Sequence, residues 1–400
     1  MWGAALFRPR LARRRALLAV LRVAAGDYEL RPIRLLRGLG ARCLTGQGTL
    51  PLLEAAEAAR LVQATARPSR QLRRFISSPE VASVVSRSLQ CGPGGGREPV
   101  VLECGPGPGV LTRTLLNAGC RVVALESDKA FLPGLESLEN KLQGQLKVVH
   151  CDFFRLDPLS PGLLEPPAMH SERLFEKLGI STVPWTADVA VRVVGFFPQK
   201  KESNMLWRHL YSIYERASIY TYGRIELNMF ISEKEYMKLV AKPGESKCYQ
   251  ACSVIWQTAC EIQLLHMEPW SSFLTNSKTG GLSIPKSWLL PNDHLCLVRL
   301  TPRRNLFTRT LTAENSIIFI QFVKQCLVKR KSKLIDKLNL FNPDRGKELL
   351  RQLEIPETIT TGNLFPEEYR CLFEAIEDSN ELGQNWLYGE ALEDYQMFNF

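Results

Sequence analysis

The chain has 400 residues, a formal net charge of +10 and 45% hydrophobic residues, enough to bury a sizeable core and to form two domains. No apolar run reaches the ~20 residues that cross a bilayer, so no membrane span is predicted. Eleven scattered cysteines without a C-x-x-C pair fit reduced, packed thiols rather than a disulfide framework or a zinc site.

The charge is uneven along the chain. Residues 1–75 carry 15 Arg, no Lys and four acids, a net of +11, and the remainder sums to −1. Residues 1–26 hold six Arg and no acid among Leu, Ala and Val, the pattern of an organellar transit peptide. A transit peptide over 1–37 and a mitochondrial matrix destination are expected. Arg13-Arg14-Arg15 would also suit a nuclear signal or a nucleic-acid arm, but nuclear signals favour Lys and none precedes Lys129. Residues 38–71, rich in Ala, Gly, Thr and Gln, read as a linker or loosely attached extension with one short helix over 52–64. Organised structure is expected from Arg73 onward, with a helix over 79–89 and a Gly/Pro-rich loop over 90–98.

Residues 100–152 carry the strongest signal. VVLECGPGPGVLT, VVALESDKAFL and VVHCDFF each open on a short apolar run, the length of a strand buried on both faces of a parallel sheet. The first run ends in Glu103-Cys104-Gly105-Pro106-Gly107-Pro108-Gly109 and leads into a predicted helix over 110–118. Glycines there let the backbone turn sharply and approach a ligand, and the helix start presents amides to polar groups. The second run ends on Glu126, 21 positions after Gly105, where doubly wound folds place the acid that grips a ribose diol. The third delivers Asp152, suited to accept from an exocyclic amine. The dinucleotide spacing G-x-G-x-x-G is absent. E-x-G-x-G-x-G instead resembles the S-adenosylmethionine (SAM) loop of class I methyltransferases.

Beyond Asp152 the spacing predicts an insertion over 156–184 with a helix at 171–178, then strands over 188–197 and 224–231 separated by a helix over 202–219. Helices over 233–240 and 248–259 follow, then an edge hairpin of strands 261–267 and 294–300 around a long loop, 267–291. The predicted class is α/β: a doubly wound, mostly parallel, Rossmann-like sheet over 72–302, with a small all-helical domain over 303–365. Its helices are expected at 312–328, 332–340 and 343–353, with another at 366–377 in the tail. Between Arg299 and Lys333 lie nine basic residues and one acid. Lys329-Arg330-Lys331 closes the first of these helices. Dipole compensation accounts for two or three such charges, and a phosphate-backbone patch for the rest. In residues 366–400 nine acids face only Arg370, interleaved with Trp386, Tyr388, Tyr395, Phe398 and Phe400. Such a tail suits docking on a basic partner or masking the basic patch.

Arg74-Phe75-Ile76, VVLECGPGPGVLT, ALESD, HCDFF and RIELNMFISEKEY occur in the order found in the rRNA adenine dimethyltransferase family, which the chain resembles over about residues 72–355. WTADVAVRVVGFFP, LHMEPWSSF and the acidic tail resemble the mitochondrial transcription factor B branch of that family. The resemblance implies SAM as cofactor, with Ile76, Gly105, Gly107, Glu126 and Asp152 on contacting positions. It implies two alternative sets of partners: mitochondrial RNA polymerase and promoter DNA, joined as one copy of this chain in a nucleoid complex, or small-subunit rRNA as methyl acceptor. One departure bears on the choice. The family carries Asn-Leu-Pro-Tyr or a close variant after the fourth strand. The amide and a backbone carbonyl hold the target amine in line with the methyl group, and the ring stacks on the flipped base. This chain reads Gly195-Phe196-Phe197-Pro198. Phe196 and Phe197 remain candidates for stacking, whereas Gly195 offers no amide. Base capture is therefore expected to outlast methyl transfer.

Overall fold

The computed structural model describes residues 49–65, 73–89, 99–142, 144–158, 165–276, 294–341 and 345–378. The transit-peptide expectation and most of the acidic-aromatic tail lie outside them. In chain order the elements begin with α1 (Ala55–Ala64), β1 (Arg74–Ile76), α2 (Pro79–Ser88), β2 (Val100–Cys104), α3 (Val110–Asn117), β3 (Val122–Glu126), α4 (Leu132–Glu139) and β4 (Leu146–His150). After the insertion helix α5 (Ser171–Lys177) come β5 (Val191–Phe196), α6 (Glu202–Glu215), β6 (Ile225–Ser232), α7 (Glu233–Leu239), α8 (Ala251–Ala259), β7 (Cys260–Pro269), β8 (Phe273–Thr275) and β9 (His294–Pro302). Four helices finish the described chain: α9 (Ser316–Leu327), α10 (Leu334–Phe341), α11 (Gly346–Gln352) and α12 (Pro366–Asp378).

The main sheet has the order β4-β3-β2-β5-β6-β9-β7. Pairing is parallel from β4 through β6 and antiparallel where β9 enters between β6 and β7. This is the predicted doubly wound sheet with an edge hairpin. Its parallel strands are short apolar runs because helices cover both faces. One face packs Val101, Val122, Val148 and Val194 against α1 to α4. The other packs Leu102, Val123, Val193 and Leu227 against the later helices. The apolar side chains of α9 and α12, including Phe319, Phe322 and Phe373, are continuous with this second cluster. Phe319 lies 5.9 Å from Tyr214 of α6, ring to ring.

Several expected boundaries differ from those observed, each for a local reason. Residues 49–65 are not loosely attached: Leu53, Ala58 and Val62 are buried in the first cluster. Leu50 also exchanges two hydrogen bonds with the Asn117 side chain, at 2.8 and 3.0 Å. α6 stops at Glu215 because Arg216 adopts a left-handed conformation, φ 52°. α8 starts at Ala251, where Gln250 and Ser253 form its N-terminal cap. α9 starts at Ser316 because the Asn315 side chain accepts from the Thr312 amide at 2.9 Å, closing a turn instead. The stretch read as a long loop from 267 begins as strand, since β7 continues past a bulge at Leu264/His266. It then supplies β8, which pairs with β1 in a two-stranded ribbon.

A buried polar network fixes α2 to the sheet. Glu226 faces Arg192 at 3.3 Å and Arg299 at 3.5 Å and accepts from Thr301 at 2.8 Å. The two arginines donate to the Leu89 and Ser88 carbonyls, groups left without partners at the end of α2.

Candidate cofactor cradle and base pocket

The turn from β2 to α3 places Gly105, Gly107 and Gly109 at φ 65°, 57° and 85°. Gly107 is the position most tightly constrained, because a Cβ there would stand 2.2 Å from Cδ1 of the Phe75 ring. Its amide donates to Glu126 at 2.9 Å. Gly105 also donates its amide to the Leu125 carbonyl, at 2.8 Å, tying the turn to the end of β3.

Glu126 is fully buried, and its carboxylate is held from three sides. Oε1 accepts from the Asp128 amide at 2.7 Å and lies 2.8 Å from Arg73 Nη2. Oε2 accepts from Gly107 at 2.9 Å and from Arg73 at 3.1 Å. Of the roughly four lone-pair positions of a carboxylate, three accept hydrogen bonds, and the Arg73 charge lies against both oxygens. The Arg73 guanidinium lies 5.0 Å from the Phe75 ring centre. It also approaches to 3.0 Å of where a Cβ on Gly105 would stand. Asp152, partly buried, accepts from the Phe154 amide at 3.0 Å. Burial pushes its carboxyl up, while that hydrogen bond and the charges of Arg73, Arg155 and Arg208 pull it down. Glu103 is buried beside the loop and accepts from Thr112 Oγ1 at 2.7 Å. Burial outweighs that bond and raises its carboxyl to about 8.

The residues assigned to SAM by resemblance therefore do come together: Ile76, Gly105, Gly107, Glu126 and Asp152 surround one cradle. Arg73 Nη2 stands between both oxygens of Glu126. Arg73 was not singled out from sequence; no local pattern reveals which cation reaches an acid 53 positions away.

Adjoining the cradle is a small cavity lined by Phe75, Ile76, Glu103, Leu111, Gly195 and Phe196. Phe196 is half-buried and extends a ring stack, 4.8 Å from Phe230 at 17°, with Phe273 edge-on at 5.2 Å. Phe197 points to the opposite face of the sheet. There it is buried against Phe154 and His209, with ring centres at 5.5 and 5.8 Å. Burial, with the Arg208 charge beside it, lowers the His209 imidazole to about 3, so it packs as a neutral ring. Of the two candidate stacking residues, only Phe196 faces the cavity. At Gly195 an added Cβ would lie 2.8 Å from both the Cβ and the carbonyl oxygen of Cys104, its register partner on β2. There is no space for a side chain at that point without moving the sheet.

The basic patch is remote in sequence and differently built. Lys329 and Lys331 are exposed. Arg330 is partly buried and donates to the Tyr249 carbonyl at 3.0 Å, so it supports the fold as well as the surface charge. Among the described residues no cluster of His, Cys, Asp or Glu has the form of a metal site. All nine cysteines there are free, and burial pushes Cys151, Cys252 and Cys326 up to about 12.

Comparison with known proteins accounts for this arrangement. Residues 72–378 match the family described as ribosomal RNA adenine dimethylase. The chain is 47% identical over 330 residues to "Dimethyladenosine transferase 2, mitochondrial" of Homo sapiens, covering 82% of this chain and 83% of the relative. It is 28% identical over 178 residues to "Dimethyladenosine transferase 1, mitochondrial" of Xenopus tropicalis, covering 44% and 46%. The crystal structure of a dimethyladenosine transferase from Plasmodium falciparum shares the fold, with a TM-score of 0.50 at 15% identity over 76% of this chain and 98% of that one. The chain belongs to the ribosomal RNA adenine dimethylase family, a family of SAM-dependent methyltransferases.

Proposed function

We propose that this chain acts in the mitochondrial matrix as a transcription initiation factor. It joins mitochondrial RNA polymerase at promoter DNA, as one copy in the complex, and favours melting by holding single-stranded template. The observation that carries the reading is Gly195, packed against the Cys104 backbone where the family's catalytic amide belongs. Without that acceptor the target amine is not held in line with a methyl donor. A lost transition-state hydrogen bond of ~3 kcal/mol slows the reaction about 100-fold. What remains is a cavity edged by a stacking ring, together with a basic helix end. Opening duplex costs roughly 1.4 kcal/mol per step, and stacking a base on an aromatic returns ~1–3 kcal/mol. A few such contacts plus phosphate charges hold a short bubble once the polymerase is engaged. The segments resembling the transcription factor B branch support the choice of polymerase as partner.

The second reading is methylation of small-subunit rRNA, favoured by the names of the relatives and by the retained glycine turn. Reconstituted run-off transcription separates the two. With Phe196→Ala, initiation on a duplex promoter falls while a pre-melted promoter is spared. Equal loss on both templates contradicts the melting role.

A further inference from the structure

We propose that Arg73 is the residue that sets whether this chain takes a nucleoside cofactor: its guanidinium stands on Glu126 where a ribose diol would bind, and it must leave first. Four observations meet here. Glu126 is wholly buried and accepts three hydrogen bonds, and Arg73 Nη2 lies 2.8 and 3.1 Å from its two oxygens. The same guanidinium passes within 3.0 Å of the open Cβ position of Gly105 and packs on the Phe75 ring that covers Gly107. Its charge also reaches Asp152, the second acid of the cradle. The Arg73 side chain is 23% exposed, so a path to solvent exists.

Only the side chain is free to move. The Arg73 amide donates to Asn276 Oδ1 at 2.9 Å, the Arg73 carbonyl accepts from the Asn276 amide at 3.3 Å, and Arg74 is the first residue of β1. Entry of a nucleoside therefore means that Arg73 swings outward while its backbone stays in place. The ribose hydroxyls replace the lost N–H donors but not the positive charge. Two carboxylates are then left less neutralised in a buried setting, which opposes binding. Cofactor affinity is set by this exchange, independently of whether the chain works at promoters.

Titration calorimetry of the full chain with S-adenosylhomocysteine, without nucleic acid, tests this directly. Arg73→Gln, which removes the charge and shortens the reach, is expected to bind at least tenfold more tightly than the unaltered chain. Its melting temperature is lower without ligand and rises more steeply with it. Arg73→Lys keeps the charge and stays within a few-fold of the unaltered affinity. Arg73→Met fills similar space without charge or donors and serves if the Gln variant does not fold. Equal affinity in the unaltered chain and both neutral variants overturns the proposal. So does tight binding by the unaltered chain with no gain on neutralisation.

Discussion

On the proposed function, Gly195 is the residue at which the chain departs from the family's catalytic motif. Its register partner Cys104 closes the space on one side, so restoring the family's amide is not a matter of one substitution. Gly195→Asn is expected to leave methyl transfer unrestored and to destabilise the fold by ~1–3 kcal/mol through overpacking, measured by denaturant unfolding. Glu103 and Glu202 supply a second prediction. Burial holds their carboxyls up to about 8 and about 7, from 4.5 when exposed, although Ser232 donates twice to Glu202 at 2.6 and 2.7 Å. Between those values the folded chain binds more protons than the unfolded one, so stability falls as pH rises from 4.5 to about 8. Glu103→Gln and Glu202→Gln each flatten that decline in melting curves taken from about pH 5 to about pH 8.5. At this scale the sequence was partly legible. That Glu126 ends β3 and Asp152 follows β4 was readable because each comes after a short apolar run. Phe196 and Phe197 could not be told apart, since neighbouring strand residues face opposite sides and only the fold shows which side is the cavity.

Among the elements, the strands were readable because parallel strands buried on both faces must be short and apolar. α1 was readable as a helix but not as part of the core. Its buried residues Ala58 and Val62, with Leu53 just before it, are few enough to pass for an ordinary linker helix, and the anchor of this segment, Asn117, lies 67 positions from Leu50. Leu53→Ala is expected to cost ~2–5 kcal/mol, as for other buried leucines, measured by denaturant unfolding. A loosely attached extension would show almost no change. β8 was missed for a related reason: three residues carry no period, and its pairing with β1 joins segments about 200 positions apart.

For the whole molecule, the question is how the helices beyond β9 relate to the sheet. The change of composition near Thr301 suggested a separate unit, yet Phe319 and Phe322 are buried in the cluster that also holds Leu227 and Val193. Phe319→Ala is expected to cost ~3–5 kcal/mol and to lower one shared unfolding transition, seen alike by circular dichroism and tryptophan fluorescence. Two separated transitions would show that the helices fold alone. The basic surface is a property of the same scale. Lys329→Glu with Lys331→Glu should weaken DNA binding and flatten its salt dependence by ~2 in log–log slope. Arg330 is a poor probe because it also holds the Tyr249 carbonyl.

The proposed function requires a methyltransferase fold that holds nucleotides without the acceptor that directs catalysis. Its most direct measurement is the rate of labelled methyl transfer from saturating SAM to a small-subunit rRNA stem-loop by the purified chain. The expected rate is about 100-fold below that of a family member carrying the intact motif. Dimethylation of the stem-loop at a rate matching that member would contradict it.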